Sequence, residues 1–171
     1  MKHSAIILLL LFSITATGQI PESNVEFSGN KTLILLSNIE TLNVPGKLST
    51  GEIIRVGCDR DGCYFRIEYK DRVIDLGIGD EITKTAIYEF DFGEDGDNEI
   101  VVVNDFQKTS VIFIYSYSRG IIQELFEKEI SFNRTVLKKD YIEYYKPSKP
   151  NIIWNYYQGQ FWEMTPYKIY N

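Results

Sequence analysis

Five carboxylates fall within the nine residues 91–99: Asp91, Glu94, Asp95, Asp97 and Glu99, with Gly93 and Gly96 among them. This is the one stretch whose residue types and spacing suggest chemistry. A hard divalent cation such as calcium takes about six to eight oxygens at about 2.3–2.6 Å. A short loop supplies them when every second side chain turns inward and a glycine allows a sharp bend, so Asp91, Asp95, Asp97 and Glu99 are the candidate metal ligands. The competing reading is an acidic hairpin tip in which Asp and Gly serve turn geometry alone.

Other chemistry is narrowed by what the chain lacks. Residues 1–18 read as an export signal: Lys2 and His3 give a positive start, residues 5–12 an apolar core, and Ala16, Thr17 and Gly18 small residues for cleavage near Gly18/Gln19. The apolar run is too short to span a bilayer. No cysteine follows it, so no lipid anchor is expected; the product is a periplasmic or secreted protein without membrane insertion. His3 is the only histidine, and it leaves with the signal. Residues 19–171 therefore lack the commonest general base and the commonest zinc ligand. Ser-His-Asp and Cys-His catalysis is excluded. Two cysteines cannot make a structural zinc site. A glycosidase would need two carboxyl groups roughly 5–9.5 Å apart, and nothing in the sequence marks a buried pair. The full sequence carries a formal charge of −6, and losing Lys2 makes it one unit more negative. With no basic stripe, nucleic acid is not expected as a partner.

Residues 91–100, Asp-Phe-Gly-Glu-Asp-Gly-Asp-Asn-Glu-Ile, resemble the calcium loop of FG-GAP/VCBS-type repeats, the integrin-like β-propeller module. Their usual pattern is Asp-x-Asp-x-Asp-Gly-x-x-Asp/Glu followed by an aliphatic strand. Val111–Tyr115 and the Arg119-Gly120 turn before Ile121 are similar to that module's next strands. The resemblance implies side-chain oxygens from Asp91, Asp95 and Glu99, and the backbone carbonyl of Asp97. Gly93 stands where the family has a second Asp or Asn, which implies a weak site. The likeness covers about residues 86–129 in a single copy. A full propeller needs at least four blades, more than this length holds. An EF-hand is excluded, because the twelfth position from Asp91 is Val102 rather than Glu.

Two further groups stand out. Cys58 and Cys63 have four residues between them, Asp59-Arg60-Asp61-Gly62, as for a disulfide across a hairpin end. A redox pair would have two intervening residues. The C-terminal third is rich in aromatics, and Trp154, Tyr156 and Trp162 form a candidate contact face for a protein or glycan; cross-strand packing is the alternative.

The elements that must position these groups read as strands. The chain has 12 Tyr and 10 Phe, a composition that favours sheet. Residues 53–56, 64–69 and 72–76 form a three-strand meander, with turns at 59–62 and 70–71. Residues 85–92 alternate, placing Ala86, Tyr88, Phe90 and Phe92 on one face and Thr85, Glu89 and Asp91 on the other. Residues 100–103 are apolar throughout, as in a strand buried on both faces. Residues 121–130 fit both a helical and an alternating pattern, and their place after a turn favours a strand. Residues 135–137 with 141–145 form one hairpin, and 152–157 with 160–164 another, closed at Gln158-Gly159. Residues 19–29 read as a loose lead-in.

The expected fold is all-β: an antiparallel meander of short hairpins with a blade-like sheet, in a single domain over 19–171 that falls short of a propeller. The expected function is an exported binding or structural module with a weak structural calcium loop and no catalytic role. An inhibitor of a cationic envelope hydrolase such as a lysozyme is the alternative, and a carboxylate-dependent glycosidase a third.

Overall fold

The computed structural model describes residues 24–106, 109–131 and 133–164. The expected export signal, residues 1–18, lies outside the described residues. Within them the chain forms strands and turns and no helix. It opens with β1 (Val25–Ser28) and β2 (Lys31–Asn38). Three successive four-strand meanders follow. The proximal one is β3 (Gly46–Lys47), β4 (Ile53–Asp59), β5 (Gly62–Tyr69) and β6 (Arg72–Gly79). The central one is β7 (Lys84–Phe90), β8 (Glu99–Asp105), β9 (Thr109–Ser118) and β10 (Ile121–Ser131). The distal one is β11 (Thr135–Lys138), β12 (Tyr141–Tyr144), β13 (Ile152–Tyr157) and β14 (Gln160–Met164). β2 adds antiparallel to β7 at the edge of the central sheet, and β1 adds parallel to β11 at the edge of the distal sheet.

The central sheet is the filling between the other two. β8 is buried at every position, which requires an apolar run without alternation. Its Ile100 and Val102, with Ile87 of β7 and Phe113 and Tyr115 of β9, meet Val56, Phe65 and Ile67 of the proximal sheet. Val101 and Val103, with Phe90, Ile112 and Ile114, meet Leu137, Ile142 and Trp154 of the distal sheet. Two polar side chains buried here, Thr85 and Asn104, are paired. Thr85 Oγ1 donates to Asn104 Oδ1 at 2.8 Å, and Asn104 Nδ2 to the Ile78 carbonyl at 2.7 Å. Such bonds fix the register of β7, β8 and β6, because a one-residue slip would strand them in a dry core.

Residues 121–130 belong to a strand, as their position after the Arg119-Gly120 turn suggested. The last hairpin turns at Gln158 and Gly159, with φ of 52° and 74°, the doubly left-handed geometry of a type I′ turn. The loose lead-in expected over residues 19–29 needs correction at its C-terminal part. Val25–Ser28 is a strand whose partner, β11, lies more than a hundred residues away. Phe27 holds it there, packed at 4.8 Å on Tyr88 and 5.4 Å on Phe90.

Candidate functional site

The acidic loop, residues 91–98, connects β7 to β8 at one end of the central sheet. Its entry is anchored by Phe92, which is fully buried and packs on Phe90 at 4.7 Å, Phe161 at 5.1 Å and Tyr156 at 5.6 Å. Its exit is anchored by Glu99, only 4% exposed. The Phe92 N–H donates to Glu99 Oε2 at 2.9 Å, closing the base of the loop. The Tyr156 hydroxyl donates to Glu99 Oε1 at 2.9 Å, tying that base to β13. Burial pushes the Glu99 carboxyl up to about 7, against the two hydrogen bonds, and the nearby Asp95 adds to the rise.

The tip is shaped by its own carboxylates. Asp91 Oδ2 accepts from the Gly96 N–H at 3.2 Å, and Asp95 Oδ1 from the Asp97 N–H at 3.0 Å. Asp91 Oδ1 is buried with no hydrogen-bond partner among the described residues. Glu94, one position out of phase with the inward carboxylates, leans outward and pairs with Lys139 at 2.7 Å, both side chains exposed. The Gly93 N–H donates to the Lys139 carbonyl at 2.6 Å. The Tyr156 phenol is raised by burial and by Glu99, then by Asp95 and Asp91.

Gly93, the departure from the repeat pattern, has a structural reason. Its φ is +89°, and a Cβ there would sit 3.2 Å from Tyr156 Cε1. A side chain at this position would hold the loop off the ring that clasps Glu99.

On the opposite side of the loop, Glu89 of β7 is 5% exposed. It accepts from the Ser49 N–H at 3.0 and 3.1 Å and from Ser49 Oγ at 2.8 Å. A small cavity of about 90 Å3 separates this turn from Gly96, Asp97 and Asn98. The loop is thus bonded to the distal sheet directly and flanked by a carboxylate that caps the proximal sheet.

The predicted ligands divide as follows. Asp91 and Asp95 offer oxygens near Glu99, Asp97 is exposed at the tip, and Glu99 already holds a protein donor on each oxygen. No three carboxylates converge to metal-binding distance among the described residues. Asp91, whose buried Oδ1 lacks a hydrogen bond, is the loop carboxylate that could hold a cation.

Cys58 and Cys63 face each other in register across the β4–β5 tip and are bonded, with Cα atoms 4.0 Å apart. The aromatic contact face is corrected. Trp154 is 5% exposed and packs on Phe126 at 5.3 Å, its Nε1 donating to Glu163 at 3.1 Å. Tyr156 shares that inward face. Trp162 is paired with Asn155 and points the other way, 55% exposed, on the same outer side as Tyr157 and Met164. The alternation of β13 predicts that Trp154 and Tyr156 share a face; it does not reveal which face the core takes. Glu89, Tyr156 and Lys139 were missed as partners of the loop, since each acts from a distant part of the chain or reads as a solvent-facing residue.

Comparison with known protein families, curated proteins and solved structures finds no match to this chain.

Proposed function

We propose that the protein is an exported, non-catalytic binding or structural module in which the β7–β8 loop takes up one calcium ion, weakly, and so locks one end of the three-sheet stack. The observation that carries this reading is the desolvated pair at the base of the loop. Asp91 Oδ1 is buried without a hydrogen bond, and Glu99 is buried with its carboxyl pushed up to about 7. A hard cation stabilises both as carboxylates. Asp91 and Asp95 are its first ligands, Glu99 stays in its clasp with Phe92 and Tyr156 and adds charge, and the Asp97 carbonyl completes the tip.

The contact face of the module is the outer side of the β13–β14 hairpin, where Tyr157, Trp162 and Met164 stand exposed together. Aromatic and Met side chains of this kind are favoured where a protein binds a partner, so a protein or glycan ligand is expected there. Scanning calorimetry of the protein tests the loop. Millimolar calcium is expected to raise the melting temperature, because an ion that binds only the folded state stabilises it by mass action. The rise should vanish in Asp95→Ala. No rise, or an equal rise in that variant, sinks the proposal.

A further inference from the structure

We propose that the cavity between the β5–β6 and β9–β10 turns is a binding site for a tetrahedral oxyanion, a phosphate or sulfate group, free or esterified to a small molecule. The cavity measures about 320 Å3 and is lined by Tyr69, Lys70, Asp71, Arg72 and Arg119. Three cations from two different sheets thus face one carboxylate across a shared space. This happens in a chain whose acidic residues outnumber its basic ones by 24 to 18. Carboxylates are in excess, and three of the four other arginines take them: Arg55 pairs with Glu68, Arg66 with Asp75 and Arg134 with Glu26, while Arg60, at the disulfide tip, has no ion-pair partner among the described residues. Arg72 and Arg119 enter no ion pair among the described residues, and both line this cavity.

The two turns are brought together by a close contact. Gly120 lies against the Tyr69 ring so tightly that a Cβ would stand 2.5 Å from Tyr69 Cδ1. Absence of a side chain lets the β9–β10 turn settle on that ring, and it sets Arg119 beside the Lys70-Asp71 turn. The half-buried Tyr69 ring forms an apolar wall.

The geometry selects the class of ligand. A guanidinium fork matches two oxygens of an anion, and an ammonium acts as a compact point charge. A carboxylate is saturated by one fork, whereas a tetrahedral group has oxygens for two forks and an ammonium at once. The volume exceeds what an inorganic anion fills and sits at the low end of small-ligand pockets, roughly 300–1,000 Å3. There is room beside Tyr69 for the carbon skeleton of an ester.

Amide chemical-shift titrations of the whole protein with inorganic phosphate, glycerol phosphate and acetate test this. Saturable shifts centred on residues 69–72 and 118–120 are expected with both phosphates. Arg72→Gln and Arg119→Gln should each weaken binding about tenfold, the loss of one charged hydrogen-bonding group. Arg60→Gln, at the disulfide tip, is the control and should bind as the parent does. All three changes are at exposed positions and leave the core untouched. Tighter binding of glycerol phosphate than of inorganic phosphate supports an ester held against Tyr69, and equal binding supports the free anion. The proposal is overturned by the absence of saturation at tens of millimolar phosphate, by acetate binding as tightly as phosphate, or by Arg60→Gln weakening binding as much as Arg119→Gln. The calcium reading of the β7–β8 loop stands or falls separately.

Discussion

Glu99 is where a single residue decides most about the behaviour of this fold. A glutamate ordinarily titrates near 4.5, and burial moves Glu99 up to about 7. Between those two pH values the folded protein holds a proton that the unfolded chain has released. The contribution is therefore fully present below about pH 4.5 and is lost as pH rises through 7. At about 1.4 kcal/mol per pH unit it amounts to about 3 kcal/mol. Glu99→Gln keeps the shape and removes the titration, so its urea-derived stability relative to the parent should climb from pH 5 to about pH 7 and level off above it; a constant difference over that range defeats the assignment. Gly93 is the second decisive residue. Gly93→Ala places a Cβ at φ +89° and 3.2 Å from Tyr156. Left-handed backbone in a residue with a Cβ costs roughly 1–2 kcal/mol, and the expected midpoint shift in urea corresponds to a loss of that size. A neutral outcome would mean that the loop does not lie against Tyr156 as described.

At the level of elements, the β4–β5 hairpin carries a cross-link that ties few residues together. Cys58 and Cys63 are separated by five positions in sequence, so opening the bond frees little chain entropy. Replacing both with Ser is expected to cost about 2 kcal/mol or less, measured by denaturant unfolding. A much larger loss would show that Cys63, buried against the proximal core, matters through packing instead. This hairpin was legible from the sequence because its signals are local: two alternating strands, an Asp-Gly turn and a cysteine on each side. The buried run at residues 100–103 and the Gln158-Gly159 turn were legible for the same reason. The edges were not. β1 is four residues long, pairs parallel and finds β11 across more than a hundred residues, and no local pattern encodes such a partner. The candidate site divides along the same line. The carboxylates of residues 91–99 announce themselves by spacing, whereas the Tyr156 hydroxyl that holds Glu99 comes from 57 residues away. Trp154 and Trp162 show how little composition says about faces: both are tryptophans of one hairpin, and only the register, Trp154 opposite Glu163 and Asn155 opposite Trp162, sends one inward and one outward.

Across the whole molecule, the consequence of the arrangement is mechanical unity. One sheet serves both cores: Val102 of β8 packs toward the proximal sheet, and its neighbours Val101 and Val103 toward the distal sheet. Neither core can be lost without exposing a face of β8, so the three sheets should unfold as a single cooperative unit. Phe65 in the proximal core and Ile142 in the distal core are both fully buried. Truncating either to Ala leaves a cavity and is expected to cost about 3 kcal/mol. The two sites share no neighbours, so the double variant should lose the sum to within about 0.5 kcal/mol. Circular dichroism and tryptophan fluorescence should report one coincident transition in every variant, because Trp154 sits in the distal core while strand content reflects all three sheets. Separate transitions, with Phe65→Ala melting the proximal sheet and leaving Trp154 fluorescence native, would show that the central sheet holds its distal partner alone. In that event the acidic loop, bonded to the distal sheet through Tyr156 and Lys139, would belong to the surviving half. Calcium would then protect only the distal transition, and the temperature at which fluorescence changes would be the one that responds to it.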